Sequence, residues 1–278
     1  MKLGEVEFHI LSAGHVLLDG GAMFGVIPKP MWEKRMPADA RNRIILSMNS
    51  LLIHAGGKRI LVETGAGDKM NAKLRDIYGL DGPLLDRELR KFDLKAPDID
   101  IVVNTHLHFD HCGGNTKIEK DKAVPAFPNA RYLVHCGEYE HAVNPTERDR
   151  ASYFPENFAP VRDAGQFELL DGDAEIAPGV ELVRLPGHVA DMFGVKLTGG
   201  GKTALLFGDL VPTTAHLPLP WIMGYDLYPM KTLENKKRWI PQVAREGWLA
   251  LFAHDDRVRA AYLRERDGQW ETEPVTID

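Results

Sequence analysis

Short apolar runs punctuated by glycine and proline set the rhythm of this chain. Residues 6–11 alternate apolar and polar side chains, as a strand with one buried face does. Runs 44–54 and 59–63 flank Gly56-Gly57, which predicts a hairpin. Runs 195–198 and 203–207 flank Gly199-Gly200-Gly201 and predict a second one. Segments 99–104, 131–135, 180–185 and 248–253 are compact and rich in β-formers, and read as strands. A 3.6-residue period appears at 84–92, through Leu85, Leu89 and Phe92. It appears again at 233–244, where Leu233, Ile240, Val243 and Ala244 share one face and Lys236, Lys237 and Arg238 form a solvated one. Segment 257–266 also reads as helical. Two apolar stretches, 20–32 and 212–226, follow neither period and read as ordered loops. Strands before and between helices, in two halves that each hold a hairpin, predict sheets covered by helices in a layered α/β arrangement.

Composition narrows this picture. The 278 residues are 44% hydrophobic, enough for a substantial core, and read as one domain over 1–278. The net charge is −6 and no basic block stands out, which argues against a nucleic-acid groove or an anionic membrane surface. No run has the length of a membrane span, and the first residues lack the pattern of a signal peptide. With two cysteines, Cys112 and Cys136, no disulfide framework is implied, and the expected setting is a reduced cytoplasm.

The chemistry concentrates at 105–114, Thr-His-Leu-His-Phe-Asp-His-Cys-Gly-Gly. His106, His108, Asp110 and His111 place four metal-ligand side chains in six positions, and imidazole with carboxylate suits zinc, iron, manganese or cobalt. His106 and His108 are two apart and project the same way from an extended strand end. Gly113-Gly114 permits a close backbone approach after the turn. His188, Asp209 and His254 share one property with the string: each directly follows a strand-like run. If those strands lie side by side in one sense, their ends meet on one rim, where α/β folds place their sites. His9, His54, His135 and His141 lack such partners and read as structural.

The order His106-x-His108-x-Asp110-His111, His188, Asp209, His254 resembles the metallo-β-lactamase superfamily over essentially the whole chain. Val62-Glu63-Thr64-Gly65 resembles its supporting Asp-Thr-Gly turn, with Glu63 a departure. The resemblance implies a four-layer αββα sandwich and two divalent metal ions, zinc before the alternatives. It implies that His106, His108 and His188 hold one ion, that Asp110, His111 and His254 hold the other, and that Asp209 bridges them. A shared water of lowered pKa would then act as the hydrolytic nucleophile, with Asp110 passing a proton to the leaving group. Cys112 falls where the family has a small residue, so packing is its expected role.

The stretches 20–32, 212–226 and Tyr228-Pro229-Met230 are similar to the YtnP-type, quorum-quenching lactonase branch, whose substrates are N-acyl homoserine lactones. Met23, Phe24, Phe109, His216, Trp221, Met223 and Tyr225 are the residues expected to meet a small neutral amphipathic substrate. Where better-known lactonases carry a carbonyl-holding tyrosine, three residues past the bridging Asp209, this chain has Pro212, and Tyr225 or His216 is the candidate substitute. Phosphotriester or aryl-ester hydrolysis is the alternative activity, and a non-catalytic metal-binding protein the alternative of another class. The apolar segment 23–32 is the expected contact of a homodimer.

Overall fold

A computed structural model describes residues 1–82 and 84–277; Pro83 and Asp278, within the 1–278 span read from the sequence, lie outside the described residues. Two seven-stranded sheets face one another. The first contains, in order, Lys2–Leu3, Val6–Asp19, Arg43–Ala55, Lys58–Val62, Ile101–Val103, Arg131–His135 and Phe167–Leu170. Its first half is antiparallel, and its last four strands run parallel to one another. The second contains Ala174–Ala177, Val180–Arg184, Phe193–Gly199, Lys202–Leu206, Leu249–Leu251, Ala260–Arg266 and Gln269–Pro274, with one parallel pair, Lys202–Leu206 beside Leu249–Leu251.

The layering follows from the two-residue period of the central strands. In Lys58–Val62, Ile60 and Val62 enter the core between the sheets, while Leu61 enters the layer under the helices of the first sheet. In Lys202–Leu206, Ala204 and Leu206 face the inter-sheet core, and Leu205 faces the helix Pro229–Arg245 layer with Ile240 and Val243. Each strand is therefore apolar on both faces, so three apolar cores separate four layers, αββα. This is the four-layer αββα sandwich that the resemblance implies. Each fully buried Leu, Val or Ile contributes about 1.5–3 kcal/mol to this stack.

Both hairpins form where double glycines predict them. Gly56 and Gly57 have φ of 56° and 73°, and Gly200 and Gly201 have 55° and 71°, the positive values a tight primed turn needs. Three expectations are corrected. Segment 257–266 is not helical: Ala260–Arg266 pairs antiparallel with Gln269–Pro274. Its helix-forming composition yields to tertiary pairing across Asp267-Gly268, a turn pair with φ of 52° and 73°. Segment 20–32 is less irregular than a loop, containing the short helices Gly20–Phe24 and Lys29–Trp32. Lys236 is not on a solvated face. Its side chain is completely buried and its Nζ donates to the carbonyls of Pro218, Leu219 and Trp221 at 2.8, 3.3 and 2.9 Å. No helix among the described residues is long and apolar enough to cross a membrane.

Candidate metal centre and cavity

His106 lies just beyond the end of Ile101–Val103, His188 beyond Val180–Arg184, Asp209 beyond Lys202–Leu206 and His254 beyond Leu249–Leu251. The last three strands share one sense, although Phe193–Gly199 stands between the first two of them. Backbone bonds join the sheets at this rim. Phe193 N–H donates to Thr105 O, Ser47 N–H to His254 O and Asn49 N–H to Ala253 O. After the string, Gly113 and Gly114 pass so near residues 64–66 that a Cβ would fall 2.2 Å from Ala66 O and 2.3 Å from Thr64 O. Glycine is required there because any side chain would push the His111 turn off its support.

All seven ligand candidates are buried and converge. His108 Nδ1 lies 3.1 Å from His106 Nε2 and 3.0 Å from His188 Nε2. His111 Nε2 and His254 Nε2 are 3.1 Å apart, with Asp110 Oδ2 at 3.8 and 3.7 Å from them. Asp209 stands between the groups: Oδ1 lies 3.4 Å from His111 and 3.1 Å from His254, and Oδ2 lies 3.4 Å from His188. Ligands 2.0–2.1 Å from one tetrahedral ion sit about 3.3 Å apart, so these spacings fit metal coordination. Asp209 Oδ1 has no hydrogen-bond partner although it is buried, a state a cation would relieve.

Electrostatics agree with that fit. Burial, then neighbouring imidazoles, hold His106 and His108 well below the usual histidine range, which keeps them neutral. At His111 burial acts downward but Asp209, Asp110 and Glu63 outweigh it, and the net direction is up. Burial would raise Asp209, yet His111, His254 and His188 hold it well below the carboxylate range. His188 and His254 are also raised, burial being outweighed by their carboxylate neighbours, Asp209 first, so His106 and His108 offer neutral nitrogens while the other three imidazoles release their protons when a cation takes their place.

The outward ring atoms of four histidines are backed by oxygen. Thr105 Oγ1 lies 3.0 Å from His106 Nδ1, Asp226 Oδ1 3.0 Å from His188 Nδ1, Ser47 O 2.9 Å from His254 Nδ1 and Glu63 Oε2 3.4 Å from His111 Nδ1. Such partners fix ring orientation and tautomer. Glu63 adopts φ of 63°, a strained value for a non-glycine residue, and its other oxygen accepts Thr105 N–H at 2.8 Å. His108 is held differently: the Tyr153 ring packs edge-on against it at 4.7 Å, and the Tyr153 hydroxyl donates to buried Glu138. Glu138 also accepts Leu107 N–H between the two ligands, and burial pushes its carboxyl up to about 7.

A cavity of about 400 Å³ opens over the centre, with His108, Asp110, His188, Asp209 and His254 in its floor. Of the expected substrate contacts, Met23, Phe109, Met223 and Tyr225 line it. Phe24, His216 and Trp221 do not; they form the packing behind the wall. His216 stacks on Phe24 at 4.7 Å and bridges Thr213 Oγ1 and Met23 O, while Trp221 meets the Phe24 edge. Pro212 turns its carbonyl to His254 N–H at 2.9 Å. Cys112 is buried, with Sγ 3.1 Å from Leu107 O, a packing position.

Sequence reading missed Leu18, Leu46, Tyr78, Arg148, Asp149 and Ser152 in the wall, and Asp226 behind His188. Only Thr146-Glu147-Arg148-Asp149 carried a local signal, the Ser/Thr-x-x-Asp/Glu turn pattern. The others reach the cavity through long-range packing.

The family model for the metallo-beta-lactamase superfamily matches residues 45–254, and the chain belongs to that superfamily. An N-acyl homoserine lactonase of Bacillus thuringiensis is 29% identical over 170 residues, 60% of either chain, so the match spans about three-fifths of that relative's length. N-acyl homoserine lactonase AiiB of Rhizobium rhizogenes is 25% identical over 284 residues, 95% of this chain and 99% of that one. A solved Staphylococcus aureus structure, titled a "probable metal-dependent hydrolase", is 31% identical over the whole of both chains with a TM-score of 0.90. This superfamily uses divalent metals, and the clustered His and Asp side chains fit that use.

Proposed function

We propose that this protein is a dinuclear-metal lactonase that opens N-acyl homoserine lactones. The observation that carries this reading is the position of the His/Asp cluster, at the floor of a cavity whose wall is Leu18, Ala22, Met23, Leu46, Phe109 and Met223. Such a wall takes an acyl chain while a few polar groups orient the reacting end. The lactonase relatives support the same substrate class.

His106, His108 and His188 would hold one ion and Asp110, His111 and His254 the other, with Asp209, which stands between the two groups, serving both. Two divalent ions held there, zinc first among the candidates, would supply a nucleophile near neutral pH and stabilise charge on oxygen. The chain's own work is orientation and proton movement. Thr105, Asp226, Ser47 and Glu63 fix the imidazoles. Water adds to the lactone carbonyl carbon, the carbon–ring-oxygen bond breaks, and the Asp110 carboxylate carries the released proton to that oxygen, giving the hydroxy acid. Tyr225 takes over the carbonyl-holding role left open at Pro212. Burial first, then Tyr78, Asp19 and Asp110, push its phenol up to about 12, so it stays a hydrogen-bond donor at neutral pH.

The test is a panel of homoserine lactones of varied chain length set against phosphotriesters and aryl esters, assayed with and without added metal. Metal-dependent lactone opening with the higher kcat/KM supports the reading. Phosphotriester turnover without lactone turnover overturns it.

A further inference from the structure

The cavity has polar lining that the apolar wall does not explain. Besides Leu18, Met23 and Leu46, it is lined by Arg148, Asp149 and Ser152. Arg148 is the cation among the described lining residues, and it makes no ion pair with a carboxylate among the described residues. One guanidinium nitrogen, Nη2, donates at 2.6 Å to Gly224 O, in the loop that carries Met223 and Tyr225. A guanidinium has five N–H donors, so most of them remain for a ligand.

The turn beneath Arg148 is fixed rather than loose. Thr146 Oγ1 donates to Asp149 Oδ1 at 2.5 Å, His141 Nε2 meets Asp149 Oδ2 at 2.5 Å, and Arg150 N–H donates to Thr146 O. His141 in turn packs on Tyr153, and Tyr153 packs on His108. Arg148 is thus tied through a packed chain of side chains to one of the ligand candidates, at a set position beside the reacting centre.

We propose that Arg148, with Ser152, forms a hydrogen-bonding subsite for a neutral carbonyl group of the substrate, the amide next to the scissile ester. This rests on the lactonase reading above. On that reading the substrate's non-reacting polar group is a neutral amide, whose oxygen is an acceptor that guanidinium N–H groups and a serine hydroxyl match. The cavity then sorts a substrate by its two kinds of lining: alkyl chain against Met23 and Leu46, amide oxygen against Arg148.

Arg148→Met and Arg148→Lys, each compared with wild type on two substrates, test this: an N-acyl homoserine lactone, and a γ-alkyl lactone of equal length that lacks the amide. The ratio of their kcat/KM values should fall roughly 10- to 100-fold in Arg148→Met, through KM, as expected for a lost hydrogen bond to a charged donor. Arg148→Lys, which keeps the charge and a donor, should recover part of it. If Arg148 acts only by tethering Gly224, both substrates will lose together and the ratio will hold, which overturns the subsite. If wild type opens neither lactone, the lactonase reading itself fails, and the subsite falls with it.

Discussion

Removing the carboxylate behind His188 isolates one half of the metal centre. Asp226 is buried, with Oδ1 3.0 Å from His188 Nδ1 and Oδ2 2.6 Å from Thr232 Oγ1. Asp226→Ala frees the His188 ring to rotate and leaves the Thr232 hydroxyl without its acceptor. Losing such an outer partner typically costs 10- to 100-fold in metal affinity, about 1.4–2.7 kcal/mol. The orphaned hydroxyl costs about 1–3 kcal/mol of fold stability. The equivalent support of His254 is the Ser47 backbone carbonyl, which no side-chain change removes, so the two halves respond unequally. Competition with a chromophoric chelator should show one of two equivalents weakened in Asp226→Ala and the other close to wild type. Asp226→Asn retains an acceptor for His188, and the Thr232 hydroxyl can turn to accept from the amide, so it should fall between the two. Denaturant unfolding in parallel separates metal loss from fold loss. Two equivalents bound by Asp226→Ala at wild-type affinity would refute the argument.

Lys236→Met removes the donor that holds Leu219 O and Trp221 O, and should lower stability by about 2–4 kcal/mol in denaturant melts. Burial lowers the Lys236 amine to about 7, far under the unfolded value of about 10.4, so the unfolded chain binds more protons between those pH values. Its contribution to stability therefore rises with pH through that window, and the slope difference between wild type and Lys236→Met should show it; identical slopes would contradict it. Tyr225→Phe should reduce kcat/KM for a homoserine lactone about tenfold while leaving metal content unchanged, and full activity would remove Tyr225 from the carbonyl-holding role.

The sandwich was legible because its strands announce themselves on both faces: Ile60, Leu61 and Val62 are all apolar since each side of the strand meets a core. The centre was legible because ligand-type residues stand directly beyond such strands, at His106, His188, Asp209 and His254. What failed was local propensity against tertiary context. Segment 257–266 has helix-forming residues but an edge to pair with, and the Asp267-Gly268 turn that signals this went unused. Lys236 falls on a charged stretch of helix, yet three carbonyls of the 218–221 turn wait above it. The cavity wall was the least legible part. Apolar composition in 20–32 and 212–226 says that side chains are buried, not which side of the backbone faces the substrate, so Phe24, His216 and Trp221 pack behind Met23 and Met223 instead of beside them. Tyr78 arrives from a segment with no chemical motif of its own, and the Thr146-x-x-Asp149 pattern around Arg148 signals a turn rather than a cavity wall.

A two-metal centre that opens lactones in this cavity is tested by metal content and lactone turnover measured on one sample. Wild type should hold two equivalents of divalent metal and open N-acyl homoserine lactones, lose that activity to a chelator and regain it on metal return. Asp209→Ala should lose both metal and activity while remaining folded. A folded, metal-supplemented wild type that holds less than one equivalent and opens no lactone would contradict the account.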